Sequence, residues 1–277
     1  MIRYTLCIIL SAVSLTIHAQ PLVSYFLTSR SEVSRGQIFK TIEESSEVVI
    51  KGVNPLPVKT IKEFNPQGSI ISSISYNAAG GKTAETFWEY TNGERLTKKT
   101  HRYFANMAGW REETVIINYD EESRLPKGIE FLKEGKIFQS ASLTTDSLGR
   151  IKSAEVYGST GAHLTTEKLL YIEQNNMVKV MVYRANGQYH GNWTYPMDPN
   201  KEFSFESVKR KLYPNGDVMV ETLSSSSKGD QAYYYEYQYD PKGNWILKET
   251  YQVALGKNSS IKNKKLEHRI TRKITYY

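Results

Sequence analysis

The 277-residue chain predicts an all-β protein, an antiparallel meander of β-hairpins that builds one large twisted or curled sheet, a partial shell. Three observations predict it. Turn signatures recur roughly every 11–16 residues from Gly68 to Gly256, a spacing typical of strand arrays. The runs between turns alternate with period two, as strands with two distinct faces do. No long segment carries the 3.6-residue period of an amphipathic helix.

Met1–Ala19 combines Arg3, an apolar run from Tyr4 to Ile17 and a small residue before Gln20, the pattern of a cleaved secretory signal too short to span and anchor. Its Cys7 is the sole cysteine, so the mature chain is expected to be stabilised by packing without disulfides. Residues 20–48 lack turn punctuation and belong to an N-terminal lead, 20–54, that ends at the break Gly52-Val53-Asn54-Pro55-Leu56-Pro57. Residues 55–277 form the hairpin domain, long enough to hold a sizeable core.

Within that domain the turns fall in order at Phe64–Gly68, Ala79-Gly80-Gly81, Thr91-Asn92-Gly93, Met107-Ala108-Gly109, Tyr119–Leu125, Lys133-Glu134-Gly135 and Asp146–Ile151. They continue at Ser159-Thr160-Gly161, Asn175-Asn176, Ala185-Asn186-Gly187, Tyr213–Gly216, Lys228-Gly229-Asp230 and Asp240–Gly243. In Asp240-Pro241-Lys242-Gly243 the aspartate suits the first turn position because its carboxylate accepts backbone N–H groups ahead of it. Pro241 presets φ, and Gly243 supplies the left-handed conformation through which the chain rejoins the ladder. Between turns, Tyr233, Tyr235, Tyr237 and Tyr239 share a face opposite Glu236 and Gln238, and Val178, Val180 and Val182 oppose Lys179, Met181 and Tyr183. Ala84, Thr86, Trp88 and Tyr90 likewise oppose Thr83, Glu85, Phe87 and Glu89. Replacing Gly243 by Val is expected to cost more stability than replacing Asp240 by Ala, because the aspartate's loss removes only a side-chain-to-backbone bond.

These residues resemble the YD repeats of the Rhs family, whose unit runs from a Gly through Tyr-x-Tyr-Asp-x-x-Gly to Asn or Arg and a large apolar residue. Gly229, Tyr237, Tyr239, Asp240, Gly243, Asn244 and Trp245 match it, and Asp146, Gly149, Arg150 and Ile151 match its second half. The other copies are degenerate, with Arg124 in the glycine position of one and Asn65 or Pro214 in the aspartate position of others. The resemblance implies a wound β-ribbon with these residues as structural turns, and a carbohydrate-binding role often assigned to such repeats. The chain departs from the large toxin shells in having far fewer repeats, no domain after the last one and no self-cleavage site of the kind that ends a shell core. It is most similar in plan to small exported bacterial members.

The formal charge of +7 is concentrated between residues 257 and 273, where Lys257, Lys262, Lys264, Lys265, Arg269, Arg272 and Lys273 meet only Glu267. An anion site is one reading. A solvated hairpin followed by a terminal edge strand, guarded by Lys and Arg against pairing with other chains, is the favoured one. Export argues against a nucleic-acid partner. His101, His163, His190 and His268 show no metal-ligand spacing, and no nucleophile elbow, phosphate loop or calcium loop is present. Neither metal nor cofactor is expected.

Twenty tyrosines and four tryptophans are the remaining clue. Tyr237, Tyr239 and Trp245 belong to the repeat and are read as cross-strand packing. Tyr189, Trp193 and Tyr195 lie outside it, and for them packing and the stacking of sugars or protein partners both stand. The reading is a periplasmic or secreted non-catalytic binding or scaffolding module, with a cell-envelope glycan or protein as partner and no integral membrane segment after signal cleavage. The alternative is an envelope glycan hydrolase whose carboxylates meet only in space.

Overall fold

The computed structural model describes residues 21–27, 32, 34–50, 56–93, 95–205, 208–224, 230–256 and 260–277. The signal segment, Gly229 and the Lys257 turn lie outside the described residues. Eighteen strands form one antiparallel sheet. They are β1 (Phe39–Val48), β2 (Val58–Phe64), β3 (Ile70–Tyr76), β4 (Lys82–Thr91), β5 (Arg95–Ala105) and β6 (Gly109–Tyr119). Then come β7 (Pro126–Lys133), β8 (Lys136–Thr145), β9 (Ile151–Gly158), β10 (His163–Ile172), β11 (Met177–Arg184) and β12 (Tyr189–Pro196). The last six are β13 (Phe203–Ser204), β14 (Val208–Leu212), β15 (Val218–Leu223), β16 (Gln231–Tyr239), β17 (Trp245–Leu255) and β18 (Ile261–Tyr276). A one-turn helix α1 (Ser24–Leu27) and a 3-10 turn (Glu173–Asn175) are the described helical segments.

The expected turns hold. Among the described residues, each glycine-bearing turn expected between Gly68 and Gly243 has a glycine at positive φ, and Arg124 takes φ 59° where the degenerate repeat lacks glycine. Asn65, Asn77, Asp146 and Asp240 do the same work at four of them. Each uses one side-chain oxygen to accept the backbone N–H groups two and four residues ahead, at 2.8–3.1 Å.

Sequential strands pair from β2 to β12, and from β13 to β18, and β1 lies between β18 and β2. The two ends of the ladder are therefore β12 and β13, which residues 197–202 join directly. Laid flat, eighteen strands at about 4.8 Å spacing would stretch over about 80 Å. A six-residue link reaches about 20 Å at most. The sheet has to roll up, and it forms a nearly closed barrel with its remaining opening at β12–β13.

Two features of this closure differ from the sequence expectation. The basic C-terminal segment is not an edge strand, because β18 is paired on both sides. Its charge run matches acids on the neighbouring strands and in the segment before β1: Arg269 bridges Glu47 and Glu249, at 3.1 and 2.8 Å, and Arg272 bridges Glu44 and Glu32. The N-terminal lead also contributes a ladder strand, β1, which closes the barrel.

Period-two alternation sorts the side chains into an inner and an outer face. On β6–β12 the inner face is apolar, and Val23, Val178 and Val180 are fully buried there. The segment Leu22–Leu27 packs into this half as a plug. Glu167, 3% exposed on the inner face of β10, accepts the N–H groups of Leu22 (2.7 Å) and Val23 (3.0 Å), two donors that the start of the short helix leaves free. The inner face around β1–β5, β17 and β18 is polar instead. Its cross-strand contacts are Ser46–His268 (2.6 Å), Thr60–Ser75 (3.2 Å) and Thr86–His101 (2.9 Å). A barrel of this strand number is too wide for side chains alone to fill, and a plug with a polar remainder meets that demand. The outer face carries ion pairs such as Lys59–Glu43 and Lys98–Glu89, both 2.8 Å.

Candidate functional site

The best-formed repeat shapes a surface cleft. The β15–β16 ladder runs from Leu223↔Gln231 to Val220↔Tyr234. Beyond it, tyrosine hydroxyls take over the bonding between the strands. Tyr213 donates to the Tyr235 carbonyl at 2.9 Å, and Tyr237 donates to the Val218 carbonyl at 3.0 Å. The Tyr237 bond is one of a set, since Tyr90, Tyr119 and Tyr171 reach Ile70, Leu96 and Ile151 in the same way, each at 2.9 Å. In all four a tyrosine near the end of one strand staples the first or second residue of the strand before it.

The split leaves a cleft of about 620 Å³ lined by Tyr213, Asn215, Glu236, Tyr237, Gln238, Tyr239, Leu247 and Glu249 among others. Tyr213 and Tyr237 meet edge to face, at 6.2 Å between centroids, and Tyr237 and Tyr239 stack at 6.1 Å. Tyr239 is held by its hydroxyl, which donates to Asp217 (2.9 Å) and accepts from the Asn215 amide (2.8 Å), while its ring stays exposed. Burial and the Asp217 carboxylate push its hydroxyl pKa up, so it remains a neutral donor. Flat phenol faces thus lie beside amide and carboxylate groups in the cleft.

Glu236 and Glu249 face each other directly across β16 and β17 at this cleft. Glu249 accepts from Tyr251 (2.8 Å) and from Arg269 (2.8 and 3.0 Å), and these bonds hold its carboxyl below the usual range. Glu236 is paired with Lys264.

The turn behind the cleft is tied to the N-terminal segment. Arg35 donates to the carbonyls of Gly243 (2.9 Å) and Asn215 (2.8 Å) and to the Asp217 carboxylate (2.9 Å). Asn244 is buried, accepting from the Arg35 N–H at 2.8 Å and donating back to its carbonyl at 2.9 Å. Asp240 accepts from the Tyr276 hydroxyl as well as from its own turn. Trp245 lies on the inner face with the Arg272 guanidinium 3.3 Å from its ring centroid. The repeat residues Tyr237, Tyr239, Asp240, Gly243, Asn244 and Trp245 are thus brought together. Asp146 and Gly149 form an equivalent turn elsewhere on the barrel, where Arg150 donates to Asp146 at 2.8 Å.

The other predicted trio is split. Tyr189 is 51% exposed on the outer face, against Tyr183. Trp193 and Tyr195 point inward and pack on the apolar core. Burial raises the Tyr195 hydroxyl to about 12. The sequence reading did not single out Tyr213, Glu236 and Glu249, because cross-strand register decides which residues meet. Among the described residues no group of three or more His, Cys, Asp or Glu is placed to hold a metal ion.

No family model matches the chain, and no curated protein matches it. Among solved structures it is similar to a porin-like protein from Bacteroides uniformis, at 10% identity and a TM-score of 0.43, over 86% of this chain and 98% of that one. It is also similar to a Photorhabdus luminescens Tc holotoxin pore, at 14% identity and a TM-score of 0.32, over 78% of this chain and 14% of that one.

Proposed function

We propose that this chain is an exported, non-catalytic binding module of the cell envelope, a small YD-type barrel that holds a glycan in the β15–β17 cleft. The observation that carries the reading is the cleft itself, where three tyrosine rings are fixed by their own hydroxyl bonds beside Asn215, Gln238 and a carboxylate pair. Rings already held in place lose little entropy on binding. The charged outer face supports a water-exposed barrel in the periplasm or outside the cell, since a lipid-facing band would be apolar.

The facing pair Glu236 and Glu249 favours a second reading, a glycan hydrolase. Directly opposed strand residues bring carboxylates near the separation used by retaining glycosidases. That chemistry needs one carboxyl kept protonated by a raised pKa. Glu249 is shifted the opposite way, and Glu236 carries a lysine partner. Binding is the better account.

Titration of the protein against a panel of envelope glycans, followed by mass spectrometry of the ligand, separates the two. The binding reading expects an intact ligand and an affinity loss of about tenfold or more in Tyr239→Ala, the scale of one lost stacking contact. Shortened glycan, abolished in Glu236→Gln, would establish the hydrolase. Unchanged affinity in Tyr239→Ala would remove the cleft as the binding site.

A further inference from the structure

We propose that the polar half of the barrel interior holds a binding site for a monoanionic carboxylate ligand, with Lys248 as its cationic anchor. Lys248 stands on the inner face of β17, opposite Tyr237 and Ile270. Its ammonium lies 5.3 Å from the Trp245 ring centroid and 6.0 Å from that of Tyr235. Among the described residues, no carboxylate comes within ion-pair distance of it.

The nearby acids are already taken. Lys62 contacts Glu32 at 2.6 Å and Glu44 at 3.0 Å, and Arg272 contacts the same two carboxylates at 2.9 and 2.6 Å. Three cations therefore face two anions, and one negative charge completes the set. A monoanion does so, whereas a dianion would leave excess negative charge beside Glu32 and Glu44. A buried charge is retained at low cost only when paired, and the aromatic rings offer Lys248 partial compensation alone. Lys248 is half-buried on the wall of a barrel whose strand number is too wide for side chains alone to fill.

Burial lowers the Lys248 pKa to about 8, with Glu44 and Glu32 opposing the fall and Arg272 and Lys62 adding to it. His268 is lowered by burial and by Lys248, so it is neutral where the lysine titrates. Tyr235 is raised and stays neutral as well. A bound carboxylate favours the charged lysine. Affinity is then constant below about pH 8 and falls with rising pH, by up to about tenfold per unit, as the free amine loses its proton.

Calorimetric titration of the mature protein with galacturonate, with galactose as neutral probe and sulfate as dianion, tests this. Galacturonate is expected to bind in preference to both, and more weakly at pH 9.5 than at pH 7. Lys248→Met should lose about tenfold or more of the galacturonate affinity, Lys248→Arg should retain it, and Tyr239→Ala in the separate cleft should leave it unchanged. Equal binding of galactose, tighter binding of sulfate, no binding of galacturonate, or a flat pH profile in the unmodified protein would each overturn the proposal. The pH profile decides the matter even where Lys248→Met fails to fold.

Discussion

Asp240 shows how a turn residue acquires several roles. It accepts the N–H groups of Lys242 and Asn244, both at 2.9 Å, and also the Tyr276 hydroxyl. Burial alone would raise its pKa, but these three donors, Tyr276 foremost, hold it below the usual value. A depressed carboxylate contributes stability above its unfolded pKa and loses it as pH falls through the folded one. Gly243 at φ 83° would meet only the Arg35 side chain, 3.8 Å from an added Cβ, so its replacement by Val costs backbone strain of about 1–3 kcal/mol. Asp240→Ala removes three bonds to a charged acceptor, each typically worth about 1.5–3 kcal/mol. Urea melts should therefore show Asp240→Ala destabilising at least as much as Gly243→Val, the reverse of the order that a single side-chain bond implies. The turn was legible in the sequence because its spacing is local. The Tyr276 contact was not, because 36 residues separate the partners.

The plug is the element whose chemistry most departs from its surroundings. Burial raises the Glu167 pKa while the Leu22 and Val23 N–H groups oppose the rise. A neutral acceptor is thus tolerated at this position, and Glu167→Gln is expected to be mild. Glu167→Ala leaves two buried donors without that acceptor and should cost about 1–3 kcal/mol for each, read as a lowered thermal midpoint. At the other end, burial would raise Glu32, yet Lys62 and Arg272 outweigh it and hold the carboxyl at about 2, against an ordinary value of 4.5. Its contribution is complete above pH 4.5 and is lost as pH falls from there towards 2, so a pH titration of stability should drop in that window. Arg272→Met leaves two carboxylates, Glu32 and Glu44, sharing the single cation Lys62 and should cost about 3 kcal/mol in denaturant melts, shrinking in acid. Neither the plug nor β1 was visible as such beforehand. Glu43 points outward and Glu44 inward, so β1 alternates in direction without alternating in polarity. Where the inner wall is charged, the signal that reveals strands elsewhere disappears.

Across the whole molecule, the apolar inner face of β6–β12 and the ion-paired outer face invert the arrangement of a lipid-spanning barrel. The full-length protein is expected to be released from membrane fractions by sodium carbonate, and retention there would contradict the water-exposed reading. Fold class and hairpin order were legible because each hairpin announces itself locally. Closure depended on β1 pairing with β18, with partners such as Phe39 and Tyr276 more than 230 residues apart. That pairing makes the chain ends the middle of the sheet and residues 197–202 its margin. Ordering a loop of that length costs about 5 kcal/mol by polymer statistics, so the hairpins are expected to form early and the ring to close last, as a slow phase in refolding. A single proteolytic cut within 197–202 breaks no strand ladder. It should leave two fragments that stay associated through β1 and β18 under native conditions and separate only in denaturant.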